Sequence, residues 1–307
     1  MLLLAAAMTG CTCRPQLPTG DSGTPPASTA ETGATGDTGP PPACDQPEVE
    51  PNDSLVDPPH LVLERHACGA FGSADDLDAW GFVLEDEGWL SVELEGGEGS
   101  ISDVKLAVGP ASLPWVVERG DDSTETNDAH LLFPAPADAY TVYATDAAGQ
   151  WGDRATWDLL VSEAKSPLTW TRDETEPNDV QGSAEEVVSG EVVFGTMEGN
   201  PGLPDRDWFA IDLPPDKQTL TVSVEAWMHG SAADLTLYLV DSSGGFLPEG
   251  CITCEIIGSG PPAFARDPFV TYDSPGSETV AIQLVGSDGL VESPASWYTI
   301  AFDVEGE

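Results

Sequence analysis

The sequence predicts an all-β protein with two tandem antiparallel β-sandwich domains behind a disordered N-terminal tether. Three observations support this fold class. Short runs of alternating apolar and polar residues recur along the chain, Gly, Pro, Asp and Ser separate them at short intervals, and one acidic phrase opens each half. Such runs are typical of β-sandwiches, and no segment shows the period of an amphipathic helix.

Ten of these runs are predicted to be strands. They cover residues 80–84, 89–94, 104–108, 140–143 and 157–161 in the first half, and residues 208–211, 220–224, 235–239, 280–284 and 298–302 in the second. Successive side chains of a strand point to opposite faces, so each run can turn one apolar face toward a core. Two sets of five strands suit two sandwiches.

The two halves repeat the same landmarks in the same order. EVEPND begins at residue 48 and ETEPND at residue 174, a shift of 126 residues (174 minus 48). A DxD motif follows in each half, at 76–78 and 205–207, directly before a strand that begins with an aromatic residue. This order indicates a tandem duplication of a domain-sized module. We expect the two domains to occupy residues 44–165 and 166–307.

The N-terminal residues indicate where the protein is found. Met8-Thr9-Gly10-Cys11 follows a short Leu/Ala run and resembles the lipobox of a bacterial lipoprotein, which implies that Cys11 is acylated. We interpret residues 1–11 as a truncated signal peptide, because no positive charge precedes the run, and expect the start codon upstream. Residues 12–43 are rich in Thr, Gly and Pro and predict a disordered tether.

The charge of the chain limits its partners. With 54 acidic and 10 basic residues, the formal net charge is −44. Such a surface repels nucleic acids and anionic lipid head groups, so we expect no nucleic-acid partner. Divalent cations would relieve the repulsion, although solubility alone explains most of the carboxylates.

The succession of ExEPND, a DxD before an aromatic strand, an Asp before the next strand and a late aromatic strand resembles the bacterial pre-peptidase C-terminal (PPC) domain. The resemblance covers residues 46–163 and 172–305. It implies a jelly-roll-like β-sandwich that is non-catalytic and usually appended to secreted peptidases. Relatives include the collagen-binding domains of clostridial collagenases, in which an N-terminal Glu/Asn/Asp segment binds calcium.

The repeated acidic phrase supplies hard oxygen ligands, which calcium prefers. The two glutamates of ExE share one face of an extended segment, and the DxD motifs have the same spacing. By resemblance, the candidate calcium ligands are Glu48, Glu50, Asn52, Asp53, Asp75 or Asp76, and Asp78 in the first copy, and Glu174, Glu176, Asn178, Asp179 and Asp207 in the second, with Asp205 in the place of Asp75. The alternative is that EPND is only a structural turn. No organic cofactor is expected.

The cysteines suit an oxidising compartment. Cys44 lies beside the first EPND and Cys68 before the first predicted strand, so a Cys44–Cys68 disulfide could join the acidic leader to the sandwich. Cys251 and Cys254 form a CxxC flanked by Pro and Gly, which we interpret as a second disulfide rather than a redox or zinc site. Cys13 has no obvious partner.

No motif for catalysis is evident. The four histidines are scattered and the chain contains no GxSxG, so we expect no enzyme. The nine tryptophans offer another function, because exposed rings can stack on sugars. Trp115, Trp151 and Trp227 lie nearer loops than strands and are the candidates for ligand binding.

Taken together, the sequence predicts a non-catalytic lipoprotein of the bacterial cell envelope. It would be anchored in the membrane by the lipid on Cys11, at the outer membrane or cell surface. Its modules would bind protein or extracellular matrix material, with calcium as a candidate cofactor. The alternative is a polysaccharide-binding lipoprotein that uses the loop tryptophans, and a cryptic hydrolase ranks third.

Overall fold

The computed structural model describes residues 44–97, 99–112, 117–120, 129–197, 205–216, 218–252, 267–286 and 293–306. These residues form nineteen β-strands and two short 3-10 turns, Gln181–Ser183 and Trp227–His229. The predicted all-β class is therefore confirmed. Within the described ranges, no helix has the length and apolar character to cross a membrane. The predicted signal peptide, Cys11 and the tether lie outside the described residues.

The first sandwich consists of a five-stranded and a four-stranded sheet. In sheet order, the first is β1-β2-β9-β4-β7 and the second β3-β8-β5-β6. The strands are β1 (Gln46–Pro47), β2 (Ala67–Ala70), β3 (Asp78–Leu84), β4 (Gly88–Gly96), β5 (Val104–Pro110), β6 (Val117–Gly120), β7 (Ala129–Ala135), β8 (Asp138–Asp146) and β9 (Thr156–Ala164).

The second sandwich repeats this arrangement. Its sheets have the orders β10-β12-β19-β14-β17 and β11-β13-β18-β15-β16. The strands are β10 (Arg172–Asp173), β11 (Glu185–Val187), β12 (Val192–Thr196), β13 (Arg206–Leu213), β14 (Gln218–Glu225), β15 (Leu235–Val240), β16 (Phe246–Ile252), β17 (Phe269–Ser274), β18 (Glu278–Gly286) and β19 (Trp297–Gly306). Strand β11 is the addition, and the first sandwich has only a bridge between His60 and Gly81 in its place.

All ten predicted runs lie in strands, and their alternation has the expected physical cause. In β13, for example, the burial pattern alternates from Asp207 to Ile211, with every second residue buried. The buried faces of both sheets of a sandwich meet in one apolar core. Trp80 and Phe82 face Leu90 and Phe133 in the first core, and the second core is built in the same way. Burial of these side chains supplies the main driving force for folding.

The predicted disulfide between Cys44 and Cys68 is present, with 5.9 Å between the two Cα atoms. It joins Cys44, two residues before β1, to β2, and β1 runs parallel to β2. The leader is therefore tied to the sandwich both covalently and by backbone hydrogen bonds. The predicted Cys251–Cys254 pair falls outside the described side chains.

The two sandwiches belong to one compact unit, and Trp297 lies in the contact between them. This side chain belongs to β19 of the second sandwich but is buried in the core of the first. Its ring contacts Trp89 edge to face, with 5.3 Å between the centroids, and stacks on Phe194. The backbone N–H of Leu132 donates a hydrogen bond to the carbonyl of Gly230 across the same contact.

We expect Trp297→Ala to lower the free energy of unfolding by about 3–5 kcal/mol, because the change removes a fully buried indole and leaves a cavity. Equilibrium denaturation with urea measures this loss. Trp151→Ala is the matched control: its side chain is 61% exposed, so it should change stability by no more than about 0.5 kcal/mol. Similar losses in both variants would contradict the central place of Trp297.

Candidate functional site

Each acidic phrase follows a short strand and lies along the edge of its sandwich. The backbone N–H of Glu48 donates to the carbonyl of Cys68, and that of Glu174 to the carbonyl of Phe194. The X–Pro bonds at 50–51 and 176–177 are both cis. These features place the two copies of the phrase in the same backbone setting.

Three carboxylates converge in each copy. Glu48, Glu50 and Asp78 form the first acidic cluster, and Glu174, Glu176 and Asp207 form the second. In both, one oxygen from each residue lies within 4.8 Å of the others. The ExE glutamates come from the leader, whereas the aspartate begins β3 or lies in β13. The predicted pairing of the leader with a DxD residue thus corresponds to a real proximity in space.

Backbone N–H groups hold the glutamates in place. The first glutamate of each phrase accepts a hydrogen bond from β2 or β12: Ala70 N–H donates to Glu48 at 2.8 Å, and Thr196 N–H donates to Glu174 at 2.7 Å. The second glutamate accepts from the asparagine two residues later, at 3.0 Å in the first copy and 2.9 Å in the second. One oxygen of each glutamate is fixed in this way.

An aromatic donor on the neighbouring sheet holds each aspartate. In the first cluster the indole N–H of Trp157 donates to Asp78 at 2.6 Å. In the second, the hydroxyl of Tyr298 lies 2.6 Å from Asp207 and 2.7 Å from Glu174. The sequence predicted Trp157 only as a core residue, and its role as a donor appears from the fold.

Several polar atoms of the clusters are buried without a hydrogen-bond partner among the described residues. They include both side-chain polar atoms of Asn52 and Asn178, which are 1% and 0% exposed. One oxygen each of Glu48, Asp78 and Asp207 is in the same condition. Buried polar groups without partners are costly, so the oxygens in this set would be stabilised by a bound cation. Carboxylate and amide oxygens are the ligands of calcium, so these residues fit that ion.

Burial and mutual repulsion raise the pKa values of two carboxylates in each cluster. Burial, reinforced by the charge of Glu48, raises the pKa of Asp78 to about 8. Burial and the neighbouring Glu174 raise the pKa of Asp207 to about 9, and burial raises that of Glu174 to about 7. The pKa of Glu48 is also raised, chiefly by burial. The fold therefore holds carboxylates close together although their negative charges repel. A bound divalent cation would turn this repulsion into a net attraction.

A glycine makes room for each cluster. Gly69 in β2 lies opposite Trp157, and Gly195 in β12 lies opposite Tyr298. A Cβ atom at Gly69 would be 2.0 Å from Oε2 of Glu48, and one at Gly195 would be 2.4 Å from the Tyr298 ring. Sequence reasoning missed both glycines. The signal was available, because each lies 21 residues after the first glutamate of its phrase.

The other predicted ligands lie outside the compact clusters. Asp53, Asp75 and Asp179 are exposed. Asp76 accepts a hydrogen bond from the N–H of Gly72, and Asp205 accepts one from the N–H of Arg206. Both remain close enough to raise the pKa of the neighbouring cluster aspartate. The expected difference between the copies at Asp75 does not alter the three-carboxylate arrangement.

The remaining candidates are dispersed. Trp151 is 61% exposed on the turn between β8 and β9, and Trp227 is half-buried in a 3-10 turn. Trp115 lies outside the described residues. The described residues include one Ser–His contact, 3.2 Å between Oγ of Ser91 and Nε2 of His130, but Ser91 is 7% exposed and its hydroxyl donates to Glu93.

Comparison with known proteins gives only remote likenesses. No protein-family model matches the chain, and no curated protein matches it. The pre-peptidase C-terminal domain of a collagenase from Bacillus anthracis is 15% identical, with 34% of this chain and 92% of that one covered and a TM-score of 0.27. That match covers about a third of this chain, and the resemblance of a second module to the PPC domain stays a prediction.

Two other solved structures are similar over a longer part of the chain. The tandem CBM51 modules of a family 98 glycoside hydrolase from Streptococcus pneumoniae are 8% identical, with 80% of this chain and 85% of that one covered and a TM-score of 0.24. The CUB1-EGF-CUB2 domain of human MASP-1/3 is 10% identical, with 77% and 95% covered and a TM-score of 0.19. Such low scores establish neither a family nor a function.

We expect Gly69→Ala and Gly195→Ala each to lower the thermal midpoint, because the added methyl group overlaps the cluster glutamate or its aromatic neighbour. Overpacking of this kind typically costs about 1–3 kcal/mol. Gly88→Ala is the matched control, since a Cβ atom there meets no atom within 4 Å. A control variant as unstable as the other two would show that the space around the clusters is unimportant.

Proposed function

We propose that this protein is a non-catalytic lipoprotein of the bacterial cell envelope whose two β-sandwich modules bind protein or extracellular matrix material. Calcium bound in the two acidic clusters would order the leader of each module. The observation that carries the proposal is the repeated cluster of three carboxylates beside a fully buried asparagine, whose side-chain amide has no hydrogen-bond partner among the described residues.

The chain's own residues would hold the ion in a defined way. Glu48, Glu50 and Asp78 would supply carboxylate oxygens in the first module, and Glu174, Glu176 and Asp207 in the second. The amide oxygen of Asn52 or Asn178 is a further neutral ligand in each. A bound calcium ion would supply positive charge where the fold concentrates negative charge. The leader would then be joined to its sandwich by electrostatic attraction as well as by β1 or β10.

Sequence features support the location and the absence of catalysis. The lipobox ending at Cys11 favours a lipid anchor, and residues 12–43 would hold the modules away from the membrane. The two sandwiches occupy nearly all the chain after this tether. The Ser91–His130 contact offers no accessible nucleophile, because the hydroxyl is buried and donates to Glu93. We therefore infer that the modules bind a ligand without converting it.

A second candidate function is the binding of polysaccharide. The observation that favours it is Trp151, whose ring is 61% exposed on a turn and could stack on a sugar. A rigid sandwich with a loop aromatic is a common setting for binding. The acidic clusters would then have a structural role only.

The calcium sites are tested by titrating calcium into chelator-treated protein. We expect calorimetry to show two calcium-binding events in the unmodified protein, one in Asp78→Asn or in Asp207→Asn, and none in the double variant. The calcium-dependent rise of the thermal midpoint should be lost in parallel. Asp53→Asn is the matched control, because Asp53 belongs to the phrase but not to the cluster, and it should keep both events. A rise that persists in the double variant would contradict the assignment.

The ligand class is tested by solid-phase binding to extracellular matrix material and to polysaccharides, with calcium and with chelator. We expect binding to matrix material that requires calcium and is lost in the Asp78→Asn, Asp207→Asn double variant. Trp151→Ala should leave it unchanged. Binding to polysaccharide that resists the chelator and is lost in Trp151→Ala would instead support the second candidate.

A further inference from the structure

Strands β12 and β19 contribute to two different sites through consecutive residues. Phe194 and Gly195 are neighbours in β12, and Trp297 and Tyr298 are neighbours in β19. Consecutive side chains of a strand point to opposite faces of the sheet. One face of this sheet therefore meets the first sandwich, while the other lines the core of the second.

The face toward the first sandwich is an aromatic cluster. Trp297 contacts Trp89 of the first sandwich and stacks on Phe194. Trp170, in the segment between the two sandwiches, stacks on Phe194 with 4.6 Å between ring centroids. We call these four residues the junction cluster.

The opposite face of β12 and β19 contacts the second acidic cluster. Tyr298 contacts Glu174 and Asp207 through its hydroxyl, and Gly195 lies opposite Tyr298 with no room for a side chain. The leader connects to the junction as well, because the Trp170 indole N–H donates to Asp173 at 2.8 Å, and Asp173 directly precedes Glu174. Three segments thus run, within four residues each, from the junction cluster to Glu174 or to a residue beside it.

The junction has little room for adjustment. The N–H of Leu132 donates to the carbonyl of Gly230 at 2.8 Å, and a Cβ atom at Gly230 would be 2.8 Å from Cβ of Leu132. The hydroxyl of Ser231 donates to the carbonyl of Trp297 at 2.6 Å. A change in the packing of the two sandwiches would therefore displace β19.

We infer that cation binding in the second acidic cluster and the packing of the two sandwiches stabilise each other. This inference rests on the proposed calcium site. A displacement of β12 or β19 at the junction moves Gly195 and Tyr298, which position Glu174 and Asp207, and the reverse also holds. The first cluster differs, because Trp157 is followed by Asp158, which pairs with His66 rather than with the second sandwich. Among the described residues, the second site alone has such a connection to the junction.

The test inserts a small added side chain at the junction, at a residue that is not one of the proposed ligands. Gly230→Ala places a methyl group against Leu132, and the matched control is Gly244→Ala. Gly244 has a similar positive φ of 85°, against 91° for Gly230, but a Cβ atom there meets nothing closer than 3.6 Å. Both changes are made in Asp78→Asn protein, so that only the second cluster binds calcium.

We expect calorimetry to show at least about fivefold weaker calcium binding in Gly230→Ala, and unchanged binding in Gly244→Ala, as a coupling of ordinary size would give. Equal affinities in both variants would overturn the coupling alone. Absence of calcium binding in the Asp78→Asn parent would overturn the proposed second site, and the coupling with it.

Hydrogen exchange at the Leu132 amide provides a second measurement that does not depend on the Gly230→Ala variant folding. Its hydrogen bond to Gly230 crosses the junction, so its protection reports how often the sandwiches separate. By reciprocity, calcium should slow this exchange several-fold in Asp78→Asn protein and leave it unchanged in Asp207→Asn. Equal exchange with and without calcium, in protein shown by calorimetry to bind it, would overturn the inference.

Discussion

The burial of a glutamate and an aspartate side by side is the constraint on which the rest of each module depends. Burial and mutual repulsion raise the pKa of Asp78 to about 8 and that of Asp207 to about 9. The surrounding structure compensates with backbone N–H groups, an aromatic donor and a glycine in place of a larger side chain. Burying two neighbouring carboxylates in an apolar setting is costly when both are charged. A divalent cation is the simplest group that makes the arrangement favourable.

The two modules use different aromatic residues to donate a hydrogen bond to the buried aspartate. Trp157 can only donate one hydrogen bond, and it contacts Asp78 alone. Tyr298 places a hydroxyl between Asp207 and Glu174 and is followed on the chain by residues of the second core. Because Tyr298 adjoins Trp297, the second site lies against the contact between the sandwiches, whereas the first does not. The two similar acidic phrases thus lie in sites with different surroundings.

Much of the fold could be predicted because alternation and turn residues are local signals. The ten predicted runs are strands, but short or interrupted strands were missed. Among these, β2 has only four residues and contains Gly69, and β7 carries Pro134. Their pairing partners lie far along the chain, so tertiary contacts rather than propensity decide their conformation. The same holds for β11, a three-residue strand that pairs in parallel with β13.

The sequence by itself determined the all-β class, the order of the two modules and the supply of oxygen ligands in each acidic phrase. Only the tertiary structure decided which acids converge: Asp78 and Asp207 join the glutamates, while Asp53 and Asp179 face solvent. It also decided that Trp297 is buried in the core of the other module. The reason is physical, since periodicity states which face a side chain takes, whereas the partner on that face is set by strand pairing between distant segments.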